Sequence, residues 1–325
     1  MIRLLVSVLL IFASPALGYF YRVRELRKTD SAGAENRLAS LRNRLQFLAF
    51  FVLLPLSSML SLWGMSAPDG RLLLFPILGI LAWSSGGALA LCAARLLRFS
   101  PKQTGSLFCC GTFSNIGAIG TLVCVVFFGE ESIAWVALYR LCEEAVYYGI
   151  AMPIAARYRG SGAAGISVQG FRLTRLIVCV LFALGLGILF NMLGIRRPEC
   201  LSDLATVMSV SAAVLALFSI GLGLRLKTLG HYPKSCLCIA AIKFLLVPLF
   251  IGSLAYAAGF QHVADGLPFK ICLVLASMPV AMNALIPPAL LSLDLDLANA
   301  CWIVSTVALL IVLPVLALGI LPLFS

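Results

Sequence analysis

Ten long apolar runs, separated by short polar breaks, constrain this chain more than any other feature of its sequence. About 20 apolar residues cross a bilayer as one helix, so ten such runs use nearly all of the 325 residues. Only 11% of the residues are charged, against about a quarter in an average soluble domain. A soluble enzyme, a disordered chain and a disulfide scaffold are therefore excluded. The runs lie at 3–20, 45–64, 72–94, 106–128, 133–156, 176–194, 204–224, 235–259, 268–291 and 297–322.

The distribution of basic residues predicts the orientation of these spans. Lys and Arg number 24 against 13 Asp and Glu, and 17 of the 24 fall in the connections on one side of the predicted membrane. Cytoplasmic loops carry the excess of Lys and Arg, so this side is predicted to be cytoplasmic, with both termini outside. The excess of Lys and Arg is then explained by the orientation of the chain in a cytoplasmic or plasma membrane. No nucleic-acid partner is therefore expected. The first run also has signal-peptide character, but cleavage would leave a basic segment outside, which favours a retained helix.

The two halves of the chain correspond to one another. Asn115 and Asn283 lie in the middle of the fourth and ninth spans, 168 residues apart. Five helices per half is an odd number, so the second half must enter the membrane with opposite topology. We therefore predict an all-α polytopic protein with ten transmembrane helices in two inverted repeats, 1–158 and 176–325, joined by a cytoplasmic connection at 159–175. Inverted repeats of this kind are typical of secondary transporters, with the substrate near the midplane.

The fourth and ninth spans are poor continuous helices at matching places. Gly117 and Gly120 follow Asn115 in the fourth span, and Pro279 precedes Asn283 in the ninth. Glycine weakens a helix interior and proline removes a backbone hydrogen bond, so both helices are predicted to break there. Freed N–H groups at a break suit an anion, which predicts a substrate site formed by Asn115, Gly117, Gly120, Pro279 and Asn283. The alternative is that small residues only allow close helix packing.

Four ionisable residues lie deep in the spans: Arg140, Glu143, Glu144 and Lys243. Charges inside a membrane face protein or water and commonly pair. One interpretation is a neutral cluster that joins the fifth helix to the eighth. A second gives one glutamate a proton-coupling role, and a third lets Lys243 balance a bound anion. No cofactor or metal site is expected, because the cysteines are scattered through apolar runs and both histidines fall in predicted loops.

Several segments in the right order resemble the auxin efflux carrier family of membrane transporters. They are LGYFYRVRELRK with LRNRLQFLAFFVLLPL in 17–56, GTFSNIGAIGTLVCVVFFGEE, SIGLGLRLK, KFLLVPL, MPVAMNALIPPALL and IVSTVALLIVLPVL. The resemblance covers nearly the whole chain, and it is to the bacterial permeases of this family, in which the central loop is short. Two departures concern the site: Thr121 follows Gly120 where the family often has proline, and Glu143 and Glu144 stand where it often has His-Asn.

The resemblance implies the fold of bile-acid symporters and plant auxin carriers, in which two broken helices cross. Helices 1, 2, 6 and 7 would form a scaffold, helices 3–5 and 8–10 a transport part, and members are often homodimers. It further implies elevator-type transport of a small organic anion, such as an auxin-like carboxylate or a dicarboxylate. For the coupling ion, the intramembrane glutamates favour a proton over sodium. A sodium-coupled bile-acid-type symporter and a membrane sensor without transport remain alternatives. An enzyme is not expected, because the spans lack convergent catalytic groups.

Overall fold

The computed structural model describes residues 2–28, 31–65, 73–159, 170–224 and 231–320. Within these ranges every regular element is a helix, and one isolated antiparallel bridge is present. Most of the predicted connection 159–175 lies outside the described residues, as do Asp30, Asp69, Arg71, Arg225 and Lys227. The α-helices are α1 Ile2–Lys28, α2 Ser31–Phe47, α3 Leu54–Trp63, α4 Leu74–Leu96, α5 Pro101–Thr112, α6 Thr121–Phe128, α7 Glu131–Arg140, α8 Glu143–Val146, α9 Met152–Ala156, α10 Gly170–Met192, α11 Cys200–Gly223, α12 Pro233–Ala241, α13 Val247–Ala257, α14 Leu267–Ala276, α15 Ile286–Leu290 and α16 Leu295–Pro314.

Six helical segments among the described residues are long and apolar enough to cross a membrane. Two further apolar helices, Ile116–Phe128 and Val178–Met192, are shorter. The chain is therefore a polytopic helical membrane protein, while ten spans in inverted repeats stay a prediction. The six segments are Ile2–Arg27, Gly33–Trp63, Leu74–Leu96, Cys200–Gly223, Pro233–Ala257 and Leu295–Gly319. Several of them run on through short π-helical turns, at Leu48–Leu53, Ile242–Leu246 and Val315–Ile320.

The polar segment 21–44, expected to be a loop, is largely helical. The first helix runs on to Lys28, and α2 already begins at Ser31. Arg, Glu, Leu and Ala are good helix formers, and tertiary contacts hold the extension: Arg22 donates to the carbonyl of Leu224 and lies 3.7 Å from the carboxylate of Glu35. A polar composition excluded a membrane span here, but it did not exclude a helix.

The chain divides into two compact units. The first comprises Met1–Pro68, Gly117–Ala137 and Gln169–Arg225. In it α1 packs closely against α11, because a Cβ on Gly18 would overlap the carbonyl of Phe218 and one on Gly221 would overlap that of Pro15. A small buried cluster of Leu60, Val125, Ile133 and Ala205 completes its core.

A polar clamp in the first unit ties the ends of several helices together. The guanidinium of Arg197 binds both carboxylate oxygens of Glu130, at 2.7 and 3.1 Å, and donates to the carbonyl of Leu60 at 2.7 Å. Ser202 donates to the same carboxylate at 3.2 Å, and Ser61 to the Glu130 carbonyl at 3.0 Å. The bidentate geometry makes this a strong, directional ion pair.

The second unit comprises Asp69–Ile116, Leu138–Val168 and Leu226–Ser325. Its helices α4 and α5 approach closely at Gly86 and Gly111, where a Cβ on either residue would overlap the carbonyl of the other. A fully buried aromatic cluster of Phe75, Trp83, Tyr139 and Phe260, with edge-to-face ring contacts, fills the space beside α4.

Candidate functional site

The fourth predicted span is interrupted in its middle, as the sequence indicated. Ser100 caps α5 through a capping box with Gln103, and Pro101 occupies the first turn, so the helix begins at Pro101. It ends at Thr112, and Phe113 is extended. The chain becomes helical again at Ile116, in a π-helical turn that leads into α6. The predicted break at Asn115 is confirmed.

The ninth predicted span is interrupted at the matching place. Helix α14 ends at Ala276, and irregular backbone follows as far as Ala281. A single 3₁₀ turn, Met282–Leu285, then precedes the short helix α15. Pro279 cannot donate a backbone hydrogen bond to a continuing helix, and this favours the irregular path. The predicted break between Pro279 and Asn283 is also confirmed.

The two interruptions pair with each other through a short antiparallel bridge between Ser114 and Val280. The backbone N–H of Asn115 donates to the carbonyl of Pro279 at 2.8 Å, and that of Ala281 donates to the carbonyl of Phe113 at 3.0 Å. The N–H of Val280 donates to Oγ of Ser305 in α16 at 3.2 Å. Buried backbone groups need such partners in a membrane.

This pairing corrects one part of the sequence interpretation. We expected the amides freed at the breaks to point into a shared pocket, but those of Asn115, Val280 and Ala281 donate to other protein atoms. These three amides are therefore not free donors in this structure.

The side chains of the two predicted asparagines differ in environment. Asn115 is 6% exposed, whereas Asn283 is exposed. Tyr147 links the breaks, because its hydroxyl donates to the carbonyl of Asn283 at 3.5 Å and its ring lies 4.7 Å from that of Phe113. Gly117 and Gly120 belong to the first unit, so their role at this site stays a prediction.

Lys243 brings an ionisable amine to the paired breaks. It lies in the π-helical turn Ile242–Leu246, is 1% exposed, and donates from Nζ to Oγ of Ser114 at 2.9 Å. Within the described ranges, no carboxylate forms an ion pair with this ammonium group. The sequence singled out Lys243 by its charge in an apolar run and Ser114 only as one of several small polar residues at the centre of the fourth span. It gave no indication that Ser305 and Tyr147 would matter.

The predicted charge cluster of four residues is not present as one group. Arg140 pairs with Glu143 across the turn between α7 and α8, and both side chains are largely buried. Glu144 is partly buried, and no ion pair joins it to Lys243 in the part of the chain that the structure describes. Glu144 and Lys243 therefore form no ion pair between the fifth and eighth predicted spans in this structure. Their charges are separated because Lys243 points to Ser114 instead.

A cavity of about 580 Å³ lies elsewhere in the second unit, between α13, α14 and α16. Its walls are mainly apolar, with Tyr256, Phe269 and Ile311 among them, and none of the predicted site residues lines it. Ser277, which follows the last residue of α14, borders it but bonds to the carbonyl of Leu273 at 2.8 Å. We therefore place the candidate site at the paired breaks and Lys243, where the polar chemistry converges.

The chain is similar to an uncharacterized transporter. This relative, from Methanothermobacter thermautotrophicus, is 25% identical over 245 residues, which cover 75% of this chain and 77% of the relative. No protein-family model matches the chain. Among the described residues, no group of three or more His, Cys, Asp or Glu side chains could hold a metal ion.

Proposed function

We propose that this protein is a secondary active transporter of a small organic anion and that the ammonium group of Lys243 balances the charge of the substrate. The supporting observation is the buried Lys243, held beside two interrupted helices by a neutral serine. The polytopic helical architecture and the similarity to an uncharacterized transporter favour transport over catalysis.

The charge argument rests on the cost of burying an ion. An ammonium group deep in a membrane protein is expensive unless an opposite charge or strong hydrogen bonds accompany it. The serine hydroxyl at 2.9 Å supplies one hydrogen bond and no charge. A carboxylate beside Nζ would supply both, through a charge-assisted hydrogen bond. An anionic substrate therefore fits this position better than a neutral or cationic one.

The asparagine side chains would complete the site. The amide of Asn115, beside the bridge to Pro279, can donate to a carboxylate, and the exposed Asn283 offers a second amide. In this proposal Pro279, Gly117 and Gly120 shape the backbone rather than supply free donors. Auxin-like monocarboxylates and dicarboxylates such as malate are the candidate substrates.

The division of the chain supports an elevator-type mechanism. The first unit contains α1–α3, α6, most of α7, α10 and α11, so it includes the second half of the fourth predicted span, and the second contains α4, α5, α8, α9 and α12–α16. Both interrupted segments around Ser114 and Val280, together with Lys243, belong to the second unit. We propose that this unit carries the substrate and that the first unit serves as the scaffold, with a homodimer as the assembly that the family resemblance implies.

Coupling to protons is the preferred energy source, with Glu144 as the carrier, because Arg140 already neutralises Glu143. Transport by Glu143→Gln and Glu144→Gln proteins should be measured across a pH series. Unchanged pH dependence in both would remove the proton-coupling proposal. Uptake that requires sodium would instead favour the bile-acid-type symporter.

The decisive experiment measures flux into proteoliposomes with a panel of carboxylates: an auxin-like acid, malate, malonate and a bile acid. We expect the wild-type protein to transport at least one of them and Asn115→Ala to lose that flux while its thermal unfolding is unchanged. The exposed Asn43 in α2 provides the control Asn43→Ala, which should transport normally. Absence of flux with every anion, but specific binding of one, would favour a membrane sensor.

A further inference from the structure

The exposed face of α2 changes from basic to apolar within one helical turn. Arg37 and Arg44 lie seven residues apart on one face and are exposed. Leu48, four residues after Arg44, lies on the same face and is 40% exposed, and Phe47 beside it is 49% exposed. Ala34 and Leu38, by contrast, are buried and attach α2 to the protein core. The exposed arginines are therefore not part of that core.

The first helix repeats this order in reverse. Leu17 and Phe20 are 62% and 67% exposed, and Arg24 and Arg27 follow on the same face, also exposed. Arg22, which is partly buried, is not part of this face, since it binds the carbonyl of Leu224. Both helices belong to the first unit and are joined by the segment near residue 30. Two independent helices therefore place exposed arginines next to exposed apolar residues.

The length of the first helix places the boundary between exposed apolar residues and exposed arginines near the membrane surface. The apolar segment Ile2–Arg27 has 26 residues, about 39 Å at 1.5 Å per residue, whereas the hydrocarbon core is about 30 Å thick. Exposed apolar side chains on a spanning helix face lipid tails, so the arginines one turn further along lie at the level of the headgroups. Guanidinium groups bind phosphate oxygens in bidentate fashion.

We propose that the exposed faces of α1 and α2, carrying Arg24, Arg27, Arg37 and Arg44, bind the headgroups of anionic phospholipids. The lipid tails would lie against Leu17, Phe20, Phe47 and Leu48, and the phosphate groups would meet the arginines. Glu25 and Glu35 are the acidic residues described on these two stretches, so a net positive charge remains. Each arginine near a charged membrane surface strengthens attachment severalfold.

The test uses the full-length protein in a neutral detergent and phosphatidylglycerol as the probe. Native mass spectrometry would count bound lipid on wild type, on Arg37→Gln/Arg44→Gln, and on Arg157→Gln/Arg159→Gln. The last pair removes equal charge from two exposed arginines near the end of α9. We expect the α2 variant to bind phosphatidylglycerol about tenfold more weakly than wild type does. The α9 control should bind it like wild type.

Further measurements separate a specific lipid site from attraction by total charge. Phosphatidylcholine should bind equally to all three proteins, and Arg37→Lys/Arg44→Lys should recover part of the phosphatidylglycerol binding. Equal loss in the α2 and α9 variants would mean that total charge alone attracts the lipid, and would overturn the proposal. Binding of inorganic phosphate with the same affinity would overturn it as well. So would a dimer whose contacts cover α2 and displace the lipid.

Discussion

Nζ of Lys243 lies 2.9 Å from Oγ of Ser114, at the point where the first interrupted helix is broken and paired with the second. The serine supplies a hydrogen bond to this buried amine but no opposite charge.

Replacing Lys243 with methionine should separate transport from stability. Removing a buried charge that has no carboxylate partner in the described structure should leave thermal stability in detergent unchanged or higher. Anion flux should fall by about 10–100-fold, since a hydrogen bond to a charged group contributes about 1.5–3 kcal/mol. Lys234→Met is the matched control, because Lys234 is exposed on α12. Normal flux in Lys243→Met would contradict the proposed role.

Replacing Ser305 with alanine should weaken the paired breaks. The change leaves the buried N–H of Val280 without its side-chain acceptor, which costs about 1–3 kcal/mol. Thermal unfolding in detergent should therefore occur at a lower temperature than in wild type. Ser253→Ala supplies the comparison, because the hydroxyl of Ser253 donates to the carbonyl of Leu249, one turn earlier in the same helix. Equal stability of both variants would show that Ser305 does not support the break.

Replacing Arg197 with glutamine should destabilise the first unit. It removes the bidentate bond to Glu130, both partners of which are largely buried, and we expect a loss of about 2 kcal/mol. The neighbouring Arg196 is exposed, so Arg196→Gln should have little effect. A double-mutant cycle with Glu130→Gln measures the coupling, and additive losses would argue against a direct interaction.

Tyr232 should make stability depend on alkaline pH. Its hydroxyl donates to the carboxylate of Asp294 at 3.1 Å, and partial burial together with this carboxylate raises the pKa of Tyr232. A raised pKa means that the folded state favours the neutral phenol. The stabilisation is present below the ordinary tyrosine value of about 10 and is lost as pH rises through the folded value.

The measurement compares thermal unfolding of wild type and Tyr232→Phe from pH 7 to 11. We expect wild type to be more stable by about 1 kcal/mol at pH 7, the contribution of one hydrogen bond. The difference should shrink at the alkaline end. A constant difference over the whole range would rule out titration of Tyr232 as its source.

Much of the secondary structure followed from local pattern. The breaks at Asn115 and between Pro279 and Asn283 were predictable because glycine and proline act on the backbone of their own segment. The start of α5 at Pro101 has an equally local cause in the cap formed by Ser100. The helix through 21–28 was not predicted, because a polar composition argues against a membrane span but says little about a helix outside the membrane.

The residues that meet at the site were not predictable in the same way. Ser114 and Lys243 are 129 positions apart, and the pairing of Glu144 with Lys243 looked equally reasonable from the sequence. Nor could a sequence indicate that Ser305 would accept from the N–H of Val280. Long-range partners depend on how helices pack, and packing depends on many side chains at once.

The sequence by itself determined that this chain is helical and membrane-embedded, and that two of its helices break, since these properties depend on hydropathy and on backbone preferences within single segments. Only the tertiary structure decided that the two breaks pair backbone to backbone, that Lys243 points to Ser114 rather than to Glu144, and that the amides of Asn115, Val280 and Ala281 are occupied by protein acceptors. The physical reason is that a buried hydrogen-bonding group takes whatever partner the packing places within about 3 Å.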